Sequence, residues 1–94
     1  MYLQLILFGA DGCEKCAEQK EILSTYFPEY SYDFVSLEST TIEDLEKIAL
    51  YSIDDIPTLV IVSNDGDNKK IFRHKGIIAP NKLNNFIEGL KKWV

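Results

Sequence analysis

Two cysteines separated by two residues, Cys13 and Cys16, are the side chains of this sequence best suited to chemistry. On a helix, a residue three positions along lies on the same face one turn later, so the two sulfur atoms can reach each other. A cysteine at a helix start faces free backbone N–H groups and the positive end of the helix dipole, which stabilise a thiolate. The spacing therefore predicts thiol-disulfide exchange, with Cys13 as the nucleophile and Cys16 as the resolving thiol.

Charged residues around the pair are candidates for tuning the nucleophile. An unperturbed cysteine has a pKa of about 8.5, so the site must lower this pKa for Cys13 to ionise near neutrality. Lys15 favours the thiolate, whereas Asp11 and Glu14 oppose it. The order of attack follows from position, but the balance of these charges and the redox potential depend on geometry.

Two other interpretations of the cysteine pair start from the same residues. The cysteines could be inert buried thiols, since free cysteine is among the most buried residue types. They could also bind zinc, but one pair and a distant His74 do not complete a tetrahedral site within one chain. We therefore expect no metal and no cofactor, and we expect His74 to have a structural place on the last strand.

Periodicity divides the sequence into alternating strands and helices. Strands are predicted at residues 2–8, 32–37, 58–62 and 70–74, although Val35 interrupts the alternation of the second. Helices are predicted from Cys13 to the proline at position 28, after a Thr40-x-x-Glu43 capping box, and beyond Pro80. The apolar positions of the last two helices are Ile42, Leu45, Ile48 and Ala49, then Leu83, Phe86, Ile87, Leu90 and Trp93.

The order of these elements predicts an α/β fold. A turn sequence, Asn64-Asp65-Gly66-Asp67, joins the last two strands into an antiparallel hairpin. The first two strands are separated by a helix and are therefore expected to be parallel. The sequence thus predicts a four-stranded mixed sheet with helices on both faces, in the order β-α-β-α-β-β-α, as a single domain over residues 1–94.

The composition limits the binding partners and the cellular compartment that we expect for the protein. The chain has 10 Lys and Arg against 15 Asp and Glu, a formal net charge of −5, which disfavours nucleic acid and anionic lipid. Its apolar runs are too short to cross a bilayer, and its first residues lack the basic start of a secretory signal. Two cysteines are too few for a secreted disulfide framework. We expect a cytoplasmic protein that is a monomer and that binds neither nucleic acid nor membranes.

Three stretches of the sequence resemble the thioredoxin superfamily. They are residues 5–8 before the cysteine pair, Ile56-Pro57-Thr58, and Gly76 before the last helix, and the likeness covers essentially the whole chain. The resemblance implies a thioredoxin-like fold in which Pro57 forms a cis bond opposite the cysteines and the backbone of Ile56 pairs with the substrate. It also implies a disulfide-containing client protein and a disulfide reductase as electron donor.

The sequence departs from thioredoxins at three places. Gly12 stands where a tryptophan is usual, Glu14-Lys15 replaces Gly-Pro, and Leu7 stands where a buried aspartate assists the resolving thiol. These departures leave open a non-catalytic module of the same fold that holds an extended peptide at Ile56 and Pro57.

A glutathione-linked glutaredoxin is a further alternative, favoured by the length of the chain. Glutaredoxins carry a basic residue before the first cysteine and a Gly-Gly-acid turn before the last helix, and both contact glutathione. Here Asp11-Gly12 and Gly76-Ile77-Ile78 occupy those places.

Asp54 and Asp55, close to Pro57, could be ordinary surface charges or a negative rim that favours basic partners.

Overall fold

The structure is a computed structural model, and it describes residues 2–92. The elements are β1 (Tyr2–Gly9), α1 (Glu14–Tyr26), β2 (Tyr32–Ser36), α2 (Ile42–Leu50), β3 (Thr58–Asp65), β4 (Asn68–Lys75) and α3 (Pro80–Lys92). This is the predicted order of strands and helices. Trp93, which the sequence places on the stripe of the last helix, lies outside the described residues.

One mixed sheet carries all four strands, in the spatial order β2-β1-β3-β4. β1 is parallel to β2 and antiparallel to β3, and β3 and β4 form the predicted antiparallel hairpin. The hairpin strands extend to Asp65 and from Asn68, beyond the predicted ends, because the ladder continues to the turn at Gly66 and Asp67. The predicted α/β fold class is confirmed.

Apolar residues cover both faces of the central strands. Alternate residues of β1 contribute to two separate layers, with Leu5 and Leu7 in one and Ile6 and Phe8 in the other. The first layer also contains residues of α1 and α3, namely Leu23, Leu83 and Ile87, and the second contains Tyr51 at the end of α2. A strand that is buried on both faces has a continuous apolar sequence, which explains the pattern of β1.

Apolar residues also cover both faces of the second strand, β2. Val35, which interrupts the alternation in the sequence, is buried in the layer beside α2, whereas Phe34 packs against the opposite layer. The interruption is therefore not a break in the strand, since both faces of β2 receive apolar side chains. β2 ends at Ser36, one residue before the predicted end.

The start of α2 corrects the predicted capping box. Thr41, not Thr40, is the N-cap, and its hydroxyl accepts a hydrogen bond from the backbone N–H of Asp44 at 3.3 Å. The predicted partner Glu43 therefore has no part in the cap that the structure shows. Two adjacent threonines satisfy the same sequence pattern, and the one with extended backbone at the helix start forms the cap.

The apolar stripe of α2 is largely exposed. Ile42 is 70% exposed and Leu45 is 50% exposed, while Ile48 packs against the core layer beneath the helix. By contrast, Leu83 and Ile87 of α3 are buried.

Within residues 2–92, no helix combines the length and apolar character that crossing a membrane requires.

Candidate active site

The two cysteines lie at the start of α1 and are joined by a disulfide bond, with their Cα atoms 5.2 Å apart. Cys13 is the N-cap of the helix, as expected for the residue that follows the Asp11-Gly12 turn. Its Sγ atom accepts a hydrogen bond from the backbone N–H of Cys16 at 3.2 Å. The first turn of α1 thus directs a free N–H group to the Cys13 sulfur, the arrangement that favours negative charge on sulfur.

The two sulfurs differ in their access to solvent. Cys16 is 1% exposed, whereas Cys13 is partly exposed. An incoming disulfide can therefore reach Cys13, while Cys16 is confined behind it. The division between a nucleophile and a resolving thiol stays a prediction, and this difference in exposure is the observation that bears on it.

Gly9, the last residue of β1, provides the room for Cys16, and the sequence assigned it no role. A Cβ atom at Gly9 would lie 3.0 Å from the Sγ of Cys16 and 2.9 Å from a ring carbon of Phe34. Real side-chain carbons do not approach other atoms so closely without displacing them. A glycine directly before a cysteine-bearing turn was the available signal.

Strand pairing brings the Ile56–Pro57 segment to the same end of the sheet as the cysteines. Phe8, near the end of β1, is paired with Thr58, the first residue of β3. The chain continues from β1 toward Cys13 and enters β3 from Pro57, so both segments emerge at one edge. The Ile56–Pro57 peptide bond is cis, and Pro57 is buried.

Hydrogen bonds hold the segment before β3 in place. The Thr58 hydroxyl donates to the backbone carbonyl of Asp55 at 2.7 Å, and the backbone N–H of Ile56 donates to the Asp55 carboxylate at 2.9 Å. The carbonyl of Pro57 accepts from the N–H of Gly76 at 2.7 Å. The Ile56–Pro57 segment is thus tied to the end of β4, and the N–H of Ile56 is engaged by the neighbouring Asp55 side chain.

A buried polar residue, Gln19, lies on α1 and was assigned no role from the sequence. Gln19 follows Cys16 by three residues and is 0% exposed. Its side-chain oxygen accepts from the N–H of Ile78 at 2.7 Å, and its side-chain nitrogen approaches the Ile78 carbonyl at 3.5 Å. An amide within an otherwise apolar helical stripe was the signal that could have identified it.

The charged residues near the cysteines lie at the surface. Asp11, Glu14 and Lys15 are all exposed. Leu7, where the resemblance to thioredoxins places an aspartate, is fully buried in the apolar layer beside α1. His74 lies on β4 opposite Leu59 and is partly exposed, in the position on the last strand that the sequence predicted.

An ion pair lies beside the Ile56–Pro57 segment. The ammonium group of Lys75 is 2.7 Å from the carboxylate of Asp54, and both side chains are mostly exposed. Hydrogen bonding and charge attraction from Lys75 lower the pKa of Asp54 from its ordinary value of 3.8.

Among the described residues, no group of three or more His, Cys, Asp and Glu side chains is arranged to hold a metal ion.

Several solved structures have a similar fold. A thioredoxin-like protein from Clostridium perfringens has a TM-score of 0.76 at 23% identity, over 94% of this chain and 70% of that protein. Chloroplastic thioredoxin z has a TM-score of 0.72 at 14% identity, over 96% and 79%. Thioredoxin O2 from Arabidopsis thaliana, in its oxidized state, has a TM-score of 0.67 at 21% identity, over 94% and 74%. No model of a protein family and no curated protein matches the chain.

Proposed function

This chain has the thioredoxin fold, and we propose that it is a thiol-disulfide oxidoreductase that reduces protein disulfides by dithiol exchange. The observation that carries the proposal is the pairing of a partly exposed N-cap sulfur on Cys13 with a buried sulfur on Cys16, in one disulfide bond. A fold alone does not assign an activity, so the assignment rests on this local chemistry.

Reduction of a client disulfide takes two exchange steps. The Cys13 thiolate attacks one client sulfur, which forms a mixed disulfide and expels the other client sulfur as a thiolate. The Cys16 proton passes to that departing thiolate. The Cys16 thiolate then attacks the Sγ of Cys13, breaks the mixed disulfide and expels the second client sulfur. Two electrons reach the client, and the Cys13–Cys16 disulfide is the product; a disulfide reductase returns the two electrons.

The remaining residues of the proposed site bind the client chain or influence the ionisation of Cys13. The backbone of Ile56, beside Pro57, pairs with the extended client chain. Lys15 stabilises the Cys13 thiolate through its positive charge, whereas Asp11 and Glu14 disfavour it. Because all three charged side chains are exposed, solvent screens their influence on the Cys13 sulfur.

The proposal includes the setting of the activity. We place the protein in the cytoplasm as a single domain over residues 1–94 that acts as a monomer without a cofactor. A reducing compartment keeps the pair as a dithiol between turnovers. The net charge of −5 supports clients and reductases with basic surfaces around their disulfides.

The test is reduction of a disulfide-bonded protein with a small dithiol as electron donor. Cys13→Ser should reduce the rate to that of the uncatalysed reaction, and Cys16→Ser should accumulate a mixed disulfide through Cys13. Ala17→Ser is a matched control, because it places a serine at an exposed position next to Cys16. Activity that survives Cys13→Ser would contradict the proposal. Replacing the dithiol by glutathione, with a small mixed disulfide as substrate, tests the glutaredoxin alternative.

A non-catalytic peptide-binding module is the second candidate. It is favoured by Leu7, which leaves an apolar side chain where a carboxylate would assist the resolving thiol. In this case the Ile56–Pro57 segment would hold an extended peptide by main-chain pairing. A double Cys13→Ser/Cys16→Ser variant that binds peptide as well as the unaltered chain, together with no dithiol-dependent turnover by the unaltered chain, would favour the module over the enzyme.

A further inference from the structure

Gln19 is a fully buried amide on the helix that carries the cysteines. A buried amide costs free energy unless its donor and acceptor are both satisfied. A single backbone residue, Ile78, provides both partners, since its N–H donates to the Gln19 oxygen at 2.7 Å and its carbonyl faces the Gln19 nitrogen at 3.5 Å. Gln19 and Ile78 are separated by 59 residues, so this contact is made by the tertiary structure.

The segment that Gln19 binds connects β4 to α3. Ile78 belongs to no strand or helix, and its side chain is buried in the core layer beside α1. Two residues earlier, the N–H of Gly76 donates to the carbonyl of Pro57 at 2.7 Å. Residues 76–78 therefore join α1 on one side to the Ile56–Pro57 segment on the other.

Directional bonds and apolar packing contribute differently to this junction. Burial of the Ile78 side chain holds the segment against the core, but the hydrophobic effect has no direction and permits sliding. The paired hydrogen bonds from one amide specify distance and orientation. No carboxylate, alkyl or thioether side chain offers both a donor and an acceptor at neutral pH.

We propose that Gln19 is a positioning residue, which keeps the Ile56–Pro57 segment in register with Cys13 through its two hydrogen bonds to Ile78. This inference rests on the proposed function, and it adds that binding of an extended client depends on an amide that touches neither the client nor the reacting sulfurs. Loss of the amide should raise the KM for a peptide disulfide more than it changes attack at the sulfur itself.

The experiment compares Gln19→Met with the unaltered chain on two substrates. Methionine has a similar volume but cannot satisfy the backbone of Ile78. One substrate is a disulfide-linked dimer of a short extended peptide, and the other is a small aliphatic disulfide that makes no main-chain pairing. For the peptide dimer we expect the KM to rise about fivefold, the factor that corresponds to one hydrogen bond of typical net strength. The rate with the small disulfide should change much less.

The matched control is Gln4→Met, the same chemical change on β1 at a partly exposed glutamine. It should leave both substrates unaffected. If Gln19→Met does not fold, Gln19→Asn replaces it, because this shorter amide keeps the polar group but does not span both contacts with Ile78. In the unaltered chain, hydrogen exchange of the Ile78 amide should be slow.

The outcomes separate this inference from the proposed function. An equal loss on both substrates, an unchanged KM for the peptide dimer, or rapid exchange of the Ile78 amide would overturn the positioning role while leaving the activity in place. Absence of turnover of either substrate by the unaltered chain would instead overturn the proposed function, and this inference with it.

Discussion

Gly9 and Cys16 are in such close contact that a Cβ atom on Gly9 would lie 3.0 Å from the Cys16 sulfur. The same atom would also lie 2.9 Å from the ring of Phe34, so the space is closed from two directions. The buried sulfur is thus seated directly against the backbone at the end of β1. The sheet, and not α1 alone, determines how deep Cys16 lies.

Substitution of Gly9 by alanine should destabilise the fold. The added methyl group overpacks a closed site, for which we expect a loss of roughly 1–3 kcal/mol in the free energy of unfolding. Chemical denaturation measures this loss. Gly89→Ala is the matched control: Gly89 lies in α3 with open space around its Cα, so the same change should stabilise the helix by about 0.5–1 kcal/mol. Equal effects at the two glycines would contradict the packing argument.

The two threonines before α2 should differ in their contribution to stability. Thr41→Ala removes the side chain that accepts from the N–H of Asp44, and we expect it to cost about 1 kcal/mol of unfolding free energy. Thr40→Ala should fall within about 0.5 kcal/mol of zero, as expected for an exposed position that does not form the cap. Thermal or denaturant unfolding of the two variants measures both changes in stability. A larger effect at Thr40 would restore the capping box that the sequence alone predicted.

The Asp54–Lys75 ion pair should be visible in a titration. Because Lys75 lowers the pKa of Asp54, removal of the charge by Lys75→Ala should return that pKa toward 3.8. The pKa is depressed in the folded state, so the pair stabilises the fold above the unfolded pKa, and this contribution is lost as pH falls through the folded pKa. Both groups are well exposed, so the effect on stability is small.

Nuclear magnetic resonance of the Asp54 carboxyl measures the shift. Lys69→Ala serves as the control, because Lys69 is an exposed lysine at the far end of the same strand. An Asp54 pKa that responds equally to both substitutions would show that net charge, and not the ion pair, lowers it.

Removal of the Asp55 carboxylate should strengthen binding of a peptide disulfide. The backbone N–H of Ile56 donates to that carboxylate at 2.9 Å, so a client strand that pairs with Ile56 must displace it. Asp55→Ala leaves this N–H free, and we expect the KM for a peptide dimer to fall about threefold, in line with the modest net strength of one exposed hydrogen bond. Steady-state kinetics measures the change.

The control for this prediction is Asp55→Asn, which keeps an oxygen acceptor beside Ile56 and removes the charge. If competition for the N–H is the cause, the asparagine variant should resemble the unaltered chain. A fall in KM for the asparagine variant equal to that for alanine would instead assign the effect to the negative charge.

The setting of the cysteines was predictable because it is local. A buried strand, the Asp11-Gly12 turn and a helix start follow one another within a short stretch, and each has its own sequence signature. The order of strands and helices was predictable for the same reason. The place of Thr41 as the cap was not, because Thr40 and Thr41 satisfy one pattern and the backbone conformation selects between them.

Burial of the apolar stripe was predictable for α3 but not for α2. Leu83 and Ile87 of α3 are buried, as their spacing predicts. Ile42 and Leu45 show a similar spacing on α2 but remain largely exposed. Periodicity identifies the face of a helix, whereas the extent of the surface beneath that face depends on the whole sheet.

The sequence by itself determined the order of the elements, the placement of Cys13 and Cys16 at a helix start, and a proline at the entry to β3. Nearest neighbours along the chain specify these features through turn chemistry, capping and periodicity. The tertiary structure alone decided that Gly9 makes room for Cys16, that Gln19 holds Ile78, and that Asp55 engages the N–H beside Pro57. The first joins a strand to a helix and the second joins a helix to a connecting segment 59 residues away, and all three depend on how the folded backbone and side chains are oriented.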